Sequence, residues 1–343
     1  MKKWVKVLLL WLLWAIVILG VGYVCLFVSK ESKITKNSVY CGDKIRQELW
    51  EYLENVSMPN ATVLEWVYIY TWNVSYEWVD YNYSCKVYGK DNAEWFDTAL
   101  ESVIVKQTVK PSEVVLVVDG PVPSDIDDVI AKYAKICEGG VLFRVIRFEE
   151  NRGLGEALKV AIENCSNEIV ARMDSDDIAI EKRFELQLRY FISGNCDICG
   201  GQIDEFIDDT SNIVGRRLVP ESDSELKSYM KKRCPFNHMT VMYKQSSVLE
   251  AGNYQDWFWN EDYYLWIRLA LEGCVFANLP DTLVYTRVGA DMYQRRGGDK
   301  YFKSEMGIQK LMLRNRMIGV GTYIVNVAKR IVVQLLIPNQ LRG

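Results

Sequence analysis

The chain has 343 residues, 49% of them apolar, enough to bury one large domain or two small ones. A formal net charge of −4 provides no overall positive field, which argues against nucleic acid as a partner. The nine cysteines are scattered, odd in number and without paired metal spacing, so they fit a reducing compartment better than a disulfide scaffold.

The first element is an apolar run, Val7–Val28, with no charged or strongly polar side chain. At ~1.5 Å per residue such a helix is about 33 Å long, sufficient to cross a bilayer. It is expected to be an uncleaved anchor, residues 1–30, because no small-residue cleavage site follows it. Lys2, Lys3 and Lys6 precede the run and Lys30, Lys33 and Lys36 follow it, so the flanking charges set no orientation. Residues 31–82 are dense in Trp and Tyr and show no long clean period. They read as a poorly defined linker or accessory region, with a short helix over Lys44–Val56 and an apolar, β-rich stretch at Thr62–Val74.

From residue 83 the pattern becomes regular. Trp95, Phe96, Ala99, Leu100, Val103 and Ile104 recur at helical spacing, and Glu113–Val118 is a continuous apolar run typical of a strand covered on both faces. A helix carrying Ile126, Ile130 and Tyr133 follows, then a strand over Val141–Ile146, a helix from Leu154 to Ile162 and a strand over Glu168–Met173. Alternation with short links predicts βαβ units and a mainly parallel sheet flanked by helices, an α/β fold of Rossmann-like type. After a helix at Glu181–Ile192, the segments Cys196–Ile203, Ile213–Leu218 and Met239–Tyr243 read as strands of a mixed sheet. Cys196 and Cys199, in the first of these, read as core thiols rather than a redox or zinc pair. The tail, residues 301–343, reads as helical and then apolar, either lying in a membrane surface or packed on the preceding domain.

Chemistry concentrates at the ends of these strands. In Ala171-Arg-Met-Asp-Ser-Asp-Asp-Ile178 an apolar run stops abruptly in Asp174, Asp176 and Asp177. The carboxyl edge of an open α/β sheet is where ligands bind. Asp174 and Asp176 offer hard oxygens suited to Mn²⁺ or Mg²⁺ on a diphosphate, although an Asp-rich helix cap has the same composition. Asp119, before Gly120-Pro121, can accept hydrogen bonds from a base or ribose, or can serve a turn. In Asn151-Arg-Gly-Leu-Gly155 the glycines permit close backbone approach at a helix start, and Arg152 can pair with phosphate. Glu261 and Asp262 open a helix, where acids cap and where a general base can also project into a cleft. His238 is the only histidine. Arg287 and Arg295 are expected in a Gly-containing loop, either able to close over a diphosphate or simply exposed to solvent.

In this order, Trp95–Gln107, Glu113–Pro121, Asn151–Gly155, Ala171–Ile178, Gly200–Phe206, Pro235–Met242, Glu261–Arg268 and Met292–Gly298 resemble family 2 glycosyltransferases of the GT-A fold. The resemblance is to the bacterial exopolysaccharide and O-antigen type of amylovoran biosynthesis, and it covers roughly residues 83–317. It implies a GT-A domain over residues 83–300. It also implies a hexosyltransferase that moves a sugar from a nucleotide-diphosphate sugar to a growing, lipid-linked glycan by a metal-dependent inverting mechanism. By the same resemblance Tyr88 packs on the nucleobase and Asp119 binds the nucleotide; Arg152, Asp174, His238 and Arg295 are the further candidates for contact with the nucleotide sugar. Asp174 and Asp176 hold Mn²⁺ or Mg²⁺, and the Glu261-Asp262 pair supplies the base, with Asp262 favoured. The expected location is the cytoplasmic face of a bacterial inner membrane. One departure stands out: Lys86 lies where the first strand, Asn82–Tyr88, should be apolar. Either Lys86 points into the cleft, or Thr62–Val74 supplies the strand, or the region is impaired and the chain is a membrane-bound scaffold or glycan-binding subunit of the same fold.

Overall fold

The computed structural model describes residues 80–193, 196–289 and 299–336. The apolar run Val7–Val28, the Thr62–Val74 stretch and Arg295 lie outside the described residues. Among those described, no helix is long and apolar enough to cross a membrane.

Strand β1 (Tyr81–Val87) is followed by α1 (Ala93–Leu100), which runs on as a π-helical turn over Glu101–Val105. Asn92 starts α1 by accepting the Trp95 N–H on its side chain. Then come β2 (Glu113–Val118), α2 (Ser124–Cys137), β3 (Leu142–Arg147), α3 (Leu154–Glu163), β4 (Ile169–Arg172), β5 (Ile178–Ala179) and α4 (Arg183–Ile192). The second half holds β6 (Ile198–Phe206), β7 (Ile213–Arg217), α5 (Asp223–Met230), β8 (Met242–Lys244), α6 (Gln245–Glu250), α7 (Glu261–Leu271) and β9 (Phe276–Arg287). Helices α8 (Asp299–Arg314) and α9 (Val320–Arg330) follow. The stretch expected as a strand over Met239–Tyr243 is divided: His238–Thr240 forms a 3₁₀ turn, and the strand proper is β8.

The strands form one mixed sheet in the order β3-β2-β1-β4-β8-β6-β9-β5, with β7 paired to β6. The β3-β2-β1-β4 portion is parallel throughout, and β8 runs antiparallel to β4 and β6. Chain order reverses between β1 and β4, so the crevice beyond their carboxyl ends is the switch point of the sheet. Alternation along β2 divides the core in two. Val114, Leu116 and Val118 face α1, α2 and α4, whereas Val115 and Val117 face α3, α7 and α8. Every residue of β2 is buried, as its unbroken apolar run requires; β3 at the sheet edge is only partly covered.

Helix α9 docks by polar contacts. Asn326 donates to the carbonyl of Lys231 at 2.8 Å and to Gln309 Oε1 at 2.8 Å, and Arg330 pairs with Glu305. Its outer face leaves Val320, Ile324 and Val325 exposed, and Ile331 and Val332 continue that face.

Strand β9 was not expected, because Pro280-Asp281 interrupts its apolar pattern. It pairs in parallel with β6 over its length, with register shifts around Gly200–Gln202. Gly200 and Gly201 permit this approach. A Cβ on Gly200 would stand 2.6 Å from Asn278 Oδ1 and 3.0 Å from Thr240 Oγ1, and one on Gly201 2.5 Å from Leu283 Cδ1. Cys196 and Cys199 are free and buried, as core thiols should be. Gly200→Ala is therefore expected to destabilise the fold by about 1–3 kcal/mol, read as a lower denaturant midpoint with an unchanged slope.

Candidate active site

One wall of the crevice is built at the tips of β1, β2 and β3. Asp119 ends β2 and is 1% exposed. Its Oδ1 accepts the Arg152 N–H at 2.6 Å and its Oδ2 the Gly153 N–H at 3.1 Å, so the carboxylate shapes the loop that opens α3. Gly120 makes room for that loop: its φ is +89°, and a Cβ there would lie 2.8 Å from Asn151 N. Lys86 resolves the anomaly of the first strand. Its side chain reaches into the cleft, 3.2 Å from Asp119 Oδ2, with its ammonium 4.3 Å from the centre of the Tyr88 ring. The first strand is thus β1 itself, regular and paired to β2 over Asn82–Val87 and to β4 over Tyr81–Ser84. Arg152 is exposed, with its guanidinium 4.7 Å from the Phe148 ring centre.

The acidic motif follows β4. Arg172 is 2% exposed and donates to both oxygens of Asp174, which is itself about one-third exposed. Residues two apart on a strand share a face, and the Arg172 side chain meets Asp174 in this way as the chain leaves β4. Burial, the largest single influence, works against the Arg172 charge; the Asp174 carboxylate, together with Tyr254, Tyr243 and Cys85, outweighs it, so the guanidinium stays protonated. Asp91, in the turn after β1, accepts the Tyr88 N–H at 3.1 Å and the Ser175 hydroxyl at 2.9 Å. The Asp176 carboxyl is pushed up to about 6, first by burial and then by the negative charges of Asp174 and Asp91. Asp177 turns inward instead, accepting the Arg287 N–H at 3.1 Å, and burial raises its carboxyl well above the usual range.

Asp91, Asp174 and Asp176 thus bring hard oxygens and excess negative charge to one place, a donor set that fits Mg²⁺ or Mn²⁺. Among the described residues, no three His, Cys, Asp or Glu side chains are already grouped as a cage for an ion. Arg287 is not a loop cation. It ends β9 with its guanidinium 4.5 Å from the Trp95 ring centre and 4.6 Å from that of Phe206, donating to the backbone carbonyls of Asp176 and Asp208. It braces the acidic motif from behind.

The acidic pair opens α7. Burial, then the neighbouring Asp262, pushes the Glu261 carboxyl up to about 7. Asp262 accepts the Tyr263 N–H at 2.6 Å, and the Cys234 thiol lies 3.6 Å from its other oxygen. Burial raises its carboxyl as well. Gly155 faces this helix start; a Cβ there would be 3.7 Å from Glu261 Cβ. His238 Nε2 is 2.9 Å from the Tyr254 hydroxyl. Burial and the Arg172 charge drive its ring well below 6.5, so it is neutral at pH 7. The Arg172 charge also favours the ionised forms of Glu261 and Asp262. One buried cation therefore ties the acidic motif, the histidine and the acidic pair into a single electrostatic unit.

Asp91, Arg172, Cys234 and Tyr254 were not singled out from the sequence. Asp91 had a signal, an acid in the turn after the first strand, as with Asp119 and Asp174. Arg172 had one too, an arginine two residues before the motif. Cys234 and Tyr254 meet Asp262 and His238 only through the fold.

The family model "Glycosyl transferase family 2" matches residues 87–254. An uncharacterized glycosyltransferase of Haemophilus influenzae is 40% identical over 258 residues, 75% of this chain and 94% of that protein. The amylovoran biosynthesis glycosyltransferase AmsE of Erwinia amylovora is 36% identical, across 68% of this chain and 85% of its own. An Escherichia coli UDP-Gal:alpha-D-GlcNAc-diphosphoundecaprenol beta-1,3-galactosyltransferase is 35% identical, across 75% and 91%. Among solved structures, Staphylococcus aureus TarS 1–349 in complex with UDP-GlcNAc superposes with a TM-score of 0.54 over 74% of this chain and 73% of that one; at 16% identity this likeness concerns the fold. A sheet whose switch point gathers these acids, together with relatives matched over nearly their whole length, places the chain in glycosyl transferase family 2, as a glycosyltransferase.

Proposed function

We propose that the chain transfers a sugar from a nucleotide-diphosphate sugar to a lipid-linked glycan, dependent on Mn²⁺ or Mg²⁺ and with inversion at the anomeric carbon. The observation that carries this is the Arg172–Asp174 pair, whose charge also acts on Glu261 and Asp262 across the same crevice. Tyr88 and Asp119 lie on the nucleoside side and Arg152 on the phosphate side. Asp174 and Asp176, helped by Asp91, would hold the divalent ion, which when bound neutralises charge on the departing nucleoside diphosphate. Asp262 takes the proton of an acceptor hydroxyl, and that oxygen attacks C1 of the donor sugar opposite the diphosphate, so the configuration inverts. Glu261, which holds its proton up to about 7, keeps the pair from carrying two adjacent charges. His238 offers a neutral hydrogen-bonding ring to the sugar.

The lipid-linked acceptor is supported by the names of relatives that act on GlcNAc-diphosphoundecaprenol. The location proposed is the cytoplasmic face of a bacterial inner membrane. Support comes from the run Val7–Val28 and from the exposed apolar face of α9, which has Arg314, Arg316 and Lys329 exposed nearby. The scaffold alternative drew on an irregular first strand and on the N-terminal region that the family does not account for; β1 is regular and Lys86 is paired, which removes the first of these motives.

Asp176→Ala is expected to lower metal-dependent release of nucleoside diphosphate at least about 10²-fold with little change in Tm, measured on full-length protein in detergent across a panel of nucleotide sugars. Unchanged release would sink the proposal. Asp262→Asn should cut kcat about 10²–10⁴-fold while donor KM stays near the native value.

Glu261 yields a pH-dependent stability. Its folded-state value, about 7, lies above the ordinary 4.5. The folded protein therefore binds the extra proton between these values, and the contribution of Glu261 to stability falls as pH rises through that window. Glu261→Gln should accordingly stabilise the protein at pH 8, by on the order of 2 kcal/mol, and hardly at all at pH 4.5. Equal effects at both values would show that the carboxyl is unperturbed.

A further inference from the structure

Immediately before the acidic pair, the three aromatic residues Trp257, Phe258 and Trp259 divide their roles. Trp257 turns inward. Its Nε1 donates to the Ser304 carbonyl at 3.1 Å, and its ring stacks at 4.3 Å on Tyr264. It seats on Gly307 of α8, where a Cβ would stand 2.6 Å from Trp257 Cζ2. Phe258 and Trp259 turn outward instead, 43% and 47% exposed. Their rings lie nearly parallel, 8° apart, with centroids at 5.1 Å.

The backbone beneath these rings is held firmly. The Ser304 hydroxyl donates to the Phe258 carbonyl at 2.7 Å and accepts from Asn260 Nδ2 at 2.9 Å, and both Ser304 and Asn260 are buried. Trp259 has a φ of +55°, a left-handed conformation unfavourable for a bulky side chain. The Trp259 ring meets that of Tyr301, centroids 6.4 Å apart, yet both Phe258 and Trp259 keep close to half of their surface open. Exposed apolar patches of this kind mark ligand surfaces. This one is two residues from Glu261 and three from Asp262. Beside it, Trp257, Phe258, Lys300, Lys303 and Ser304 line a shallow depression of about 390 Å³. Lys300 is exposed there, and Lys303 is paired with Asp299 at 2.6 Å.

We infer that Phe258 and Trp259 form the acceptor platform: the C–H face of the acceptor's terminal pyranose ring stacks on them and so presents its hydroxyl to Asp262. The lysines of the depression suit an acidic phosphate linkage at the reducing end of that ring. The inference rests on the glycosyl-transfer reading above and adds to it the recognition of the acceptor. It requires a site separate from the nucleoside side, which is built from β1, β2 and the loop before α3.

The test uses full-length protein in detergent and an acceptor analogue, N-acetylglucosamine diphosphate carrying a short alkyl tail. The analogue, the same alkyl diphosphate without the sugar, and UDP are each titrated calorimetrically into native protein, Trp259→Ala, Trp259→Gly and Trp259→Phe. Acceptor and donor KM and Tm are measured in parallel. Glycine is at ease at positive φ, so Trp259→Gly should keep or raise Tm, which separates loss of the ring from loss of the fold. The expected result is acceptor affinity at least about 10-fold weaker in Trp259→Ala and Trp259→Gly, largely retained in Trp259→Phe, with UDP binding within about 2-fold of native. Unchanged acceptor affinity in Trp259→Gly would overturn the inference. So would equal binding of the sugar-free diphosphate with equal sensitivity to Trp259, since the surface would then recognise the tail. Loss of the analogue in Trp259→Gly without any transfer by the native protein would uphold the platform and count against the catalytic reading instead.

Discussion

The buried pairing of Arg172 with Asp174 is the interaction on which the rest of the site depends. A guanidinium with 2% exposure must be compensated, and Asp174 at the end of the same strand does this. The pair sits where chain order reverses in the sheet, so its field acts on both walls of the crevice. On one wall it accompanies Asp176 and Asp91. On the other it helps Glu261 and Asp262 ionise and keeps His238 neutral. The acidic motif and the acidic pair are thus coupled by one buried charge.

A second buried cation supports the first. Arg183 at the start of α4 is wholly buried and donates to the Arg172 carbonyl at 2.6 Å and to Gln187 at 3.0 Å. Among the described residues no carboxylate is a hydrogen-bond partner of Arg183, and burial lowers it to about 10. Gln187 in turn donates to the Thr240 carbonyl at 2.8 Å, which ties α4 to the turn that carries His238. The backbone around the acidic motif is therefore over-determined from inside, while Arg287 braces it from β9. Such rigid support holds a cluster of mutually repelling carboxylates in place.

The two walls of the crevice follow different structural logic. At the tips of β1 and β2, the Lys86–Asp119 pair and the loop N–H groups form a polar cradle with little exposed apolar surface. At the start of α7, two exposed aromatic rings stand on a backbone held by Ser304. The first arrangement suits a charged, polar donor. The second suits the flat apolar face of a sugar, and it directly precedes Glu261 and Asp262 in the chain.

The sequence alone determined the alternation of strands and helices, the parallel half of the sheet and the carboxylates at strand ends. The reason is physical: a strand buried on both faces must be apolar along its length, and the point where it turns polar marks its exit into the crevice. Glu113–Val118 and Ile169–Arg172 were legible on these grounds. Strand β9 was not, because Pro280-Asp281 breaks its pattern and its partner β6 is more than 70 residues away in the chain. Only the tertiary structure decided that Lys86 pairs with Asp119, that Arg287 supports rather than closes, and that Asp177 faces inward while Asp176 faces the crevice. Each depends on groups brought together from distant segments, and hydropathy along a chain records burial but not which charge a buried group will meet.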